Sequence, residues 1–458
     1  MKTFSGSVSL RKLAWTGAVC AATLFAGNVT VWGQSAPVGI ASTAAGGGTL
    51  CAGSILTFSV PASNAKSVGD GCPATQATMS APVALAIDRF DNVLASDQTN
   101  NLLRIIYHGG TAMANALIAA DVQATNLIPQ KGYIYTIAGG PQSAPKSATV
   151  YYCNEAGSGT VALNAEYDGC PGAEAYVQPR GMAFDADGNI FFSNLGNIWT
   201  VRVLYVGGAA AAKLIKLENP GLAGDPQPGY VYLIAGSAAT NKYYGEGIMA
   251  NKAILNTPRG LWIDANENVL FAEAQNNLIR RVDANTGLIT TIIGDTTRCT
   301  GVDPNKVCPA SPAAGDGALA TDPSVNVDWP YGLVFDGNGN MFIADSGQGS
   351  VSPGRIRVVY AGGTLPGISN PQVGHIYTYA GGGSATGTGA QKSVFQYVYG
   401  VAIDARGYLY VDDYLNTGSG SNHVWRVDPI TGDIVNIAGN GKTSSMTSGA
   451  YCAGSSGP

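Results

Sequence analysis

The chain has 458 residues, of which only 12% are charged, and its formal net charge at pH 7 is −5. Its 62 glycines, together with Asn, Ser and Thr, supply most of the polar surface, which is typical of all-β exported proteins. Binding to nucleic acid requires clustered Lys and Arg, and the sequence holds no such cluster, so this class of partner is excluded.

The first 33 residues have the organisation of a secretory signal peptide. Lys2, Arg11 and Lys12 precede an apolar run at 13–27, and small residues follow up to about Gly33. The apolar run of about 15 residues is shorter than the roughly 20 that a membrane span needs. We therefore expect a secreted, extracellular or periplasmic protein whose mature chain has no integral membrane segment. Residues 34–53 are then a linker.

Residues 258–295 contain four short apolar runs, and Asp, Asn or Gly residues bound each of them. The runs lie at 261–263, 269–272, 278–282 and 288–293. Short runs rich in β-branched residues, interrupted at regular intervals by turn residues, are typical of an antiparallel meander. We expect one four-stranded sheet here.

The same order of runs and turns occurs five times. The copies begin at Pro82, Pro179, Pro258, Pro330 and Val398. In each copy the first run ends at an aspartate: Asp88, Asp185, Asp264, Asp336 and Asp404. Tandem repetition of a four-stranded unit predicts an all-β fold, a β-propeller of four-stranded antiparallel blades with five complete blades within residues 54–441.

Two of the copies resemble the NHL repeat. The sequences GMAFD at 181–185 and GLVFD at 332–336 are each followed by a Gly-Asn turn, at 188–189 and 339–340. The resemblance extends over residues 54 to 441, and it implies a propeller that acts as a binding scaffold.

Two interpretations of the chain ends remain open. Residues 442–458 resemble an incomplete loop, the start of a further blade or a tail, so the chain is either a truncated six-bladed or tandem array or a five-bladed ring. In the second case, residues 55–60 form an outer strand that helps to close the ring.

Six cysteines fall into local pairs between repeats: Cys51 with Cys72, Cys153 with Cys170, and Cys299 with Cys308. Paired cysteines in an exported chain predict disulfides, each worth roughly 3 kcal/mol. Metal ligation is the competing interpretation, but neither a C-x-x-C spacing nor a neighbouring His supports it.

The residue after the first proline of each repeat is expected to form a ring at one mouth of the central channel, where we also expect all the long loops. The ring residues are Val83, Arg180, Arg259, Tyr331 and Tyr399. Two Arg and two Tyr side chains can receive an anionic or sugar-like ligand by charge-assisted hydrogen bonds and stacking. In the alternative interpretation they pack only against neighbouring loops and solvent.

A second set of polar residues ends the second strands: Asp97, Asn194, Glu273, Asp345 and Asp413. Their oxygen atoms suit a calcium ion, but each can equally cap its own turn. The three histidines do not converge on the channel mouth. We therefore expect no cofactor, with calcium as the weaker alternative.

Two functional hypotheses follow. The first is a secreted binding or scaffold protein that holds a protein, peptide or glycan at the channel mouth. The alternative is a propeller enzyme, a lyase or a lactone or ester hydrolase, that uses acids at the channel mouth with a divalent cation.

Overall fold

The structure is a computed structural model. It describes residues 21–23, 40–42, 44–46, 48, 69–120, 127–139, 168–195, 199–237, 242–301, 306, 314–347, 353–383, 389–414 and 423–439. The predicted cleavage site, the strand at 55–60, Cys51, Cys153, Cys308, Cys452 and the segment 442–458 lie outside this part of the chain.

Two short strands, β1 (Ala21–Thr23) and β2 (Ile40–Ser42), pair antiparallel near the N-terminus. Five sheets follow. Blade 1 contains β3 (Cys72–Pro73), β4 (Pro82–Ile87), β5 (Val93–Asp97), β6 (Leu102–Tyr107) and β7 (Tyr133–Ala138). Blade 2 contains β8 (Cys170–Pro171), β9 (Pro179–Phe184), β10 (Ile190–Leu195), β11 (Trp199–Leu204) and β12 (Tyr230–Ala235). Blade 3 contains β13 (Ile248–Met249), β14 (Pro258–Ile263), β15 (Val269–Glu273), β16 (Leu278–Val282) and β17 (Leu288–Ile293).

Within the described residues, the last two blades have four strands each. Blade 4 contains β18 (Pro330–Phe335), β19 (Met341–Asp345), β20 (Arg355–Val359) and β21 (Ile376–Gly381). Blade 5 contains β22 (Tyr397–Ile403), β23 (Leu409–Tyr414), β24 (His423–Val427) and β25 (Ile434–Ala438). The five antiparallel blades form a propeller ring, which confirms the predicted fold class. Blades 1 to 3 have a fifth, two-residue outer strand that pairs with the last strand of the same repeat.

The hairpin between the first two strands owes its shape to the aspartate that recurs in every repeat. In blade 2, Asp185 accepts hydrogen bonds from the backbone N–H groups of Asp187 at 3.0 Å and Asn189 at 2.8 Å. The Asn189 side chain donates to Asp185 at 2.6 Å and also to the carbonyl of Gly207, beyond the third strand, at 2.8 Å. The aspartate therefore closes its own turn, and the asparagine holds the next connection against that turn.

Neighbouring blades bury their apolar faces against each other. The buried clusters lie between blades 1 and 2, 2 and 3, 3 and 4, and 4 and 5. The inner strands β4, β9, β14, β18 and β22 pack in that order, each on the next. Among the described residues, β22 and β4 do not pack on each other in this way. On β25, the last strand of blade 5, the apolar side chain of Val435 is 36% exposed.

Helices occur in places where the sequence predicted only loops. The helices α1 (Thr111–Ala120) and α2 (Ala209–Glu218) lie between the third and fourth strands of blades 1 and 2, and α3 (Gly389–Lys392) precedes blade 5. Short 3-10 turns occupy Ala74–Gln76, Gly172–Glu174, Ala250–Lys252, Ala274–Asn276 and Thr296–Arg298. Because a meander places its third-to-fourth connections on the same side as its first hairpin, α1 and α2 lie on the side opposite the connections between blades. The expectation that all long loops share one side is therefore wrong.

Three of the predicted disulfide cysteines, Cys72, Cys170 and Cys299, are disulfide-bonded. Because their expected partners lie outside the described residues, the pairing itself stays a prediction. None of the described helices combines the length and the apolar character that crossing a membrane would require.

Candidate functional site

Close backbone packing sets the positions of the predicted channel-mouth residues. Arg180, Arg259 and Tyr331 are each the second residue of their inner strand, and each is followed by a glycine. A Cβ at Gly181 would lie 2.2 Å from the carbonyl oxygen of Arg259, and a Cβ at Gly260 would lie 2.5 Å from that of Tyr331. The glycines therefore let successive inner strands approach closely, and this brings the residues before them together.

The structure brings four of the five predicted residues into contact or electrostatic range. We call Arg180, Arg259, Tyr331 and Tyr399 the mouth cluster. The Cζ atom of Arg259 lies 4.7 Å from the ring centroid of Tyr331, a cation–π geometry. The rings of Tyr331 and Tyr399 lie 4.4 Å apart, and the charge of Arg259 acts on Arg180. Val83 holds the corresponding position of β4.

Two further tyrosines extend the cluster. The ring centroid of Tyr399 lies 5.6 Å from that of Tyr414 and 6.3 Å from that of Tyr397. Tyr397 begins β22 and Tyr414 ends β23, and the two are cross-strand partners. Neither was predicted from the sequence, although their places at the start of a first strand and the end of a second strand could have indicated them.

Neither arginine of the mouth cluster has an acidic partner within the described part of the chain. Arg180 and Arg259 are half-buried, and their Nε atoms are buried without a hydrogen-bond partner there. Burial, followed by the charge of Arg259, lowers the pKa of Arg180 to about 10. Burial also lowers the pKa of Arg259, against the opposing effect of the two tyrosines. Both side chains remain protonated at neutral pH, so the mouth carries positive charge that no acid of the described residues compensates.

Tyr399, the mouth-cluster tyrosine of blade 5, is held in its neutral form. Burial, together with the neighbouring tyrosines, raises the pKa of Tyr399 to about 12, although Arg259 opposes the shift. Its hydroxyl therefore keeps its proton at physiological pH and can both donate and accept a hydrogen bond. The mouth cluster thus combines charged donors, tyrosine hydroxyls and aromatic faces.

The weaker metal candidates have a different arrangement. Each buried side chain at the end of a second strand accepts a hydrogen bond from a backbone N–H just before the inner strand of its own repeat. The pairs are Asp97 with Ser80 (2.8 Å), Asn194 with Gln178 (2.5 Å), Glu273 with Asn256 (2.7 Å), Asp345 with Asp328 (2.6 Å) and Asp413 with Gln396 (2.8 Å). Asp97 and Glu273 also bond within their own turns, as expected of a cap. The structure keeps these five side chains in separate blades, and the described residues hold no group of three or more potential metal ligands.

A set of buried arginines in the third strands was not predicted from the sequence either. Arg104, Arg202, Arg280 and Arg357 are fully buried. Each pairs with an acid that precedes its own inner strand: Asp70 at 2.8 Å, Asp168, Glu246 at 3.3 Å and Asp316 at 2.7 Å. A buried charge is tolerated only when it is paired, so these arginines fasten the outer edges of blades 1 to 4. The detectable signal was an arginine inside an otherwise apolar third run.

Comparisons with known proteins give structural likeness at low identity. No family model matches the chain. A search of curated proteins finds no match either. A solved nidogen/laminin complex is 12% identical, with a TM-score of 0.33. The match covers 58% of this chain and 66% of that one, so it spans just under two thirds of that chain's length. A virginiamycin B lyase from Staphylococcus aureus, crystallised with quinupristin, is 12% identical with a TM-score of 0.34, and the match covers 78% of this chain and 69% of that one.

A structure described as a putative gluconolactonase is 12% identical with a TM-score of 0.36, over 80% of this chain and 79% of that one. A lyase, a putative gluconolactonase and a nidogen/laminin complex thus occur together among these similar structures. The NHL resemblance stays a prediction. The candidate site of this chain is an arginine and tyrosine cluster at the mouth of a β-propeller.

Proposed function

We propose that this chain is a secreted binding propeller that holds an anionic group of its ligand at the channel mouth. Arg180 and Arg259 would donate charge-assisted hydrogen bonds to that group, and Tyr331 and Tyr399 would pack against the part of the ligand next to it.

One observation carries the proposal: the two arginines lack an acidic partner in the described part of the chain, whereas the buried third-strand arginines have one. A half-buried guanidinium group loses part of its hydration, and a bound anion restores the missing interactions. Two such groups in adjacent strands favour a carboxylate or an oxyanion over a neutral ligand.

The enzyme hypothesis depends on acids that are free to act at the mouth. Glu273 is engaged by Arg280 at 3.0 Å as well as by the backbone of Asn256, and Asp345 accepts from the backbone of Asp328. Those contacts support a structural role for these acids, so the binding function is the one proposed.

The test is calorimetric titration of the purified chain with sulfate and with a short acidic peptide. We expect the double variant R180A/R259A to lose at least tenfold in affinity for both anions, at an unchanged unfolding temperature. The matched control is R281A/R406A, which removes the same charge from the opposite side, where the arginines pair with Asp283 and Asp404. Equal affinities in the two double variants would refute the proposal.

Export forms part of the proposal and has a separate test. Expression of the full chain in a bacterium that secretes proteins, followed by N-terminal sequencing, is expected to give a mature protein that begins near Gln34. A chain that remains in the cytoplasm with Met1 intact would contradict export and leave the binding test unaffected.

A further inference from the structure

The aromatic side of the channel mouth extends beyond Tyr331 and Tyr399, the two rings that the anion-binding function uses. We call Tyr331, Tyr397, Tyr399 and Tyr414 the tyrosine surface. Tyr399 is at its centre, and its ring centroid lies 4.4 Å from that of Tyr331, 6.3 Å from that of Tyr397 and 5.6 Å from that of Tyr414. Their interplanar angles are 36°, 27° and 32°, so neighbouring rings face in similar directions. None of the four rings belongs to the apolar clusters between the blades.

Tyr414 is the most accessible ring of the tyrosine surface. Tyr331 and Tyr399 are half-buried, Tyr397 is half-buried, and Tyr414 is 39% exposed. Folding alone does not favour the exposure of large rings side by side, because each ring gains free energy when it is buried. Aromatic side chains with an accessible face next to one another are typical of a ligand surface.

The charge and the aromatic rings form one continuous surface. Arg259 lies over Tyr331, Tyr331 packs on Tyr399, and Tyr399 reaches Tyr414. A ligand that follows this path meets two guanidinium groups first and then rings that have apolar faces and polar hydroxyls. Its chemistry must therefore combine a carboxylate or similar anion with flat, partly apolar units that also carry hydroxyl groups.

We propose that the ligand is an acidic oligosaccharide built from carboxylate-bearing pyranose rings, a proposal that rests on the binding function above. The carboxylate of one sugar would accept hydrogen bonds from Arg180 and Arg259. The C–H faces of the adjoining sugars would stack on the tyrosine surface, and sugar hydroxyls would hydrogen-bond to the tyrosine hydroxyls. An acidic peptide lacks the flat faces, a neutral oligosaccharide lacks the charge, and an inorganic anion lacks both apolar area and length.

Four ligands separate these alternatives in titrations of the full chain: tetragalacturonate, a neutral oligosaccharide of four glucose units, tetraglutamate and sulfate. We expect tetragalacturonate to bind at least tenfold more tightly than each of the other three. If tetraglutamate or the neutral sugar binds equally well, the proposal is overturned.

Substitution of Tyr414 tests the aromatic contribution without touching the arginines. Y414A is expected to weaken tetragalacturonate binding about tenfold and to leave sulfate binding unchanged. Y414F keeps the ring, so its affinity should stay within about twofold of that of the original chain. The control F90A removes an exposed aromatic ring, 44% accessible, from the hairpin side of blade 1 and should change neither affinity.

The two proposals fail in different ways. One outcome is that R180A/R259A loses its affinity for sulfate while the original chain binds tetragalacturonate no better than sulfate. In that case anion binding stands and the oligosaccharide proposal is wrong. If Y414A binds tetragalacturonate as tightly as the original chain, the tyrosine surface is not part of the site. If no anion binds to the original chain, both proposals are wrong.

Discussion

The side chain of Glu218, the last residue of α2, accepts a hydrogen bond of 2.8 Å from the backbone N–H of Asn251 in the next blade. Asn251 also donates its side-chain amide to the carbonyl of Glu218. The second carboxyl oxygen of Glu218 is buried without a hydrogen-bond partner among the described residues. Burial is the main cause that raises the pKa of Glu218, to about 7. The contact between blades 2 and 3 is therefore more stable when this carboxyl is protonated.

We predict that the stability of the chain falls between pH 5 and 8 because of Glu218. The unfolded carboxyl titrates near 4.5 and the folded one near 7, so the folded state binds the extra proton in this window and stability is lost as the pH rises. A shift of this size corresponds to a loss on the order of 3 kcal/mol at pH 8. E218Q should remove this dependence of stability on pH, and at pH 8 it should unfold at a higher urea concentration than the original chain.

The control is D225N, at an exposed acid whose hydrogen bond from Lys216 lowers its pKa, so its titration lies below this window. Urea unfolding at pH 5, 6, 7 and 8 measures all three proteins. An E218Q curve parallel to that of the original chain would show that Glu218 is not the titrating group.

Replacement of Gly181 by Ala should destabilise the propeller by about 3 kcal/mol or more, because the new Cβ would meet the Arg259 carbonyl oxygen at 2.2 Å and force two inner strands apart. We also expect weaker sulfate binding, since Arg180 and Arg259 would separate. Gly337 is the matched site, with no atom within 4 Å of an added Cβ, and G337A should change stability by less than about 1 kcal/mol. Chemical denaturation measures both, and similar midpoints for G181A and G337A would contradict the proposed close approach.

Loss of the buried cation Arg280 should cost about 3 to 5 kcal/mol, because the buried carboxyl of Glu273 would lose its ion-pair partner. Arg280 lies 3.0 Å from Glu273, and both side chains are 0% exposed. The variant R280M should unfold at a lower denaturant concentration than the original chain. The double variant R280M/E273Q should recover most of the lost free energy of unfolding, because no charge is then buried alone. K216A breaks an exposed pair and should have no measurable effect. If the double variant is as unstable as R280M, the charge of Glu273 is not the cause.

The disulfide pairing predicts three cross-linked peptides in a non-reducing digest, each joining one of Cys72, Cys170 and Cys299 to its nearest cysteine in sequence. Reduction should lower the unfolding temperature, since each bridge closes a short loop worth roughly 3 kcal/mol. Mass spectrometry of the digest measures the pairing. Peptides that join cysteines of different repeats would show that the local pairing is wrong.

The strands and their order were predictable because they depend on local pattern. Apolar runs of four to six residues, closed by residues such as Asp185 and Asn189 that bond their own turns, repeat often enough to specify blades and a ring. The helix at 111–120 was missed although it is rich in Ala, the best helix former, because the repeat pattern led us to expect a loop between two strands.

The site was predictable only as a set of positions. The sequence by itself determined that Arg180, Arg259, Tyr331 and Tyr399 occupy equivalent places in successive repeats, because the repeat fixes the register. Only the tertiary structure decided which charges are neutralised: Arg280 is buried with an acid, whereas Arg180 has none among the described residues. It also decided that Tyr414 joins the cluster. The physical reason is that ion pairing and ring contact depend on distances between strands far apart in the chain, and residue type and spacing do not encode those distances.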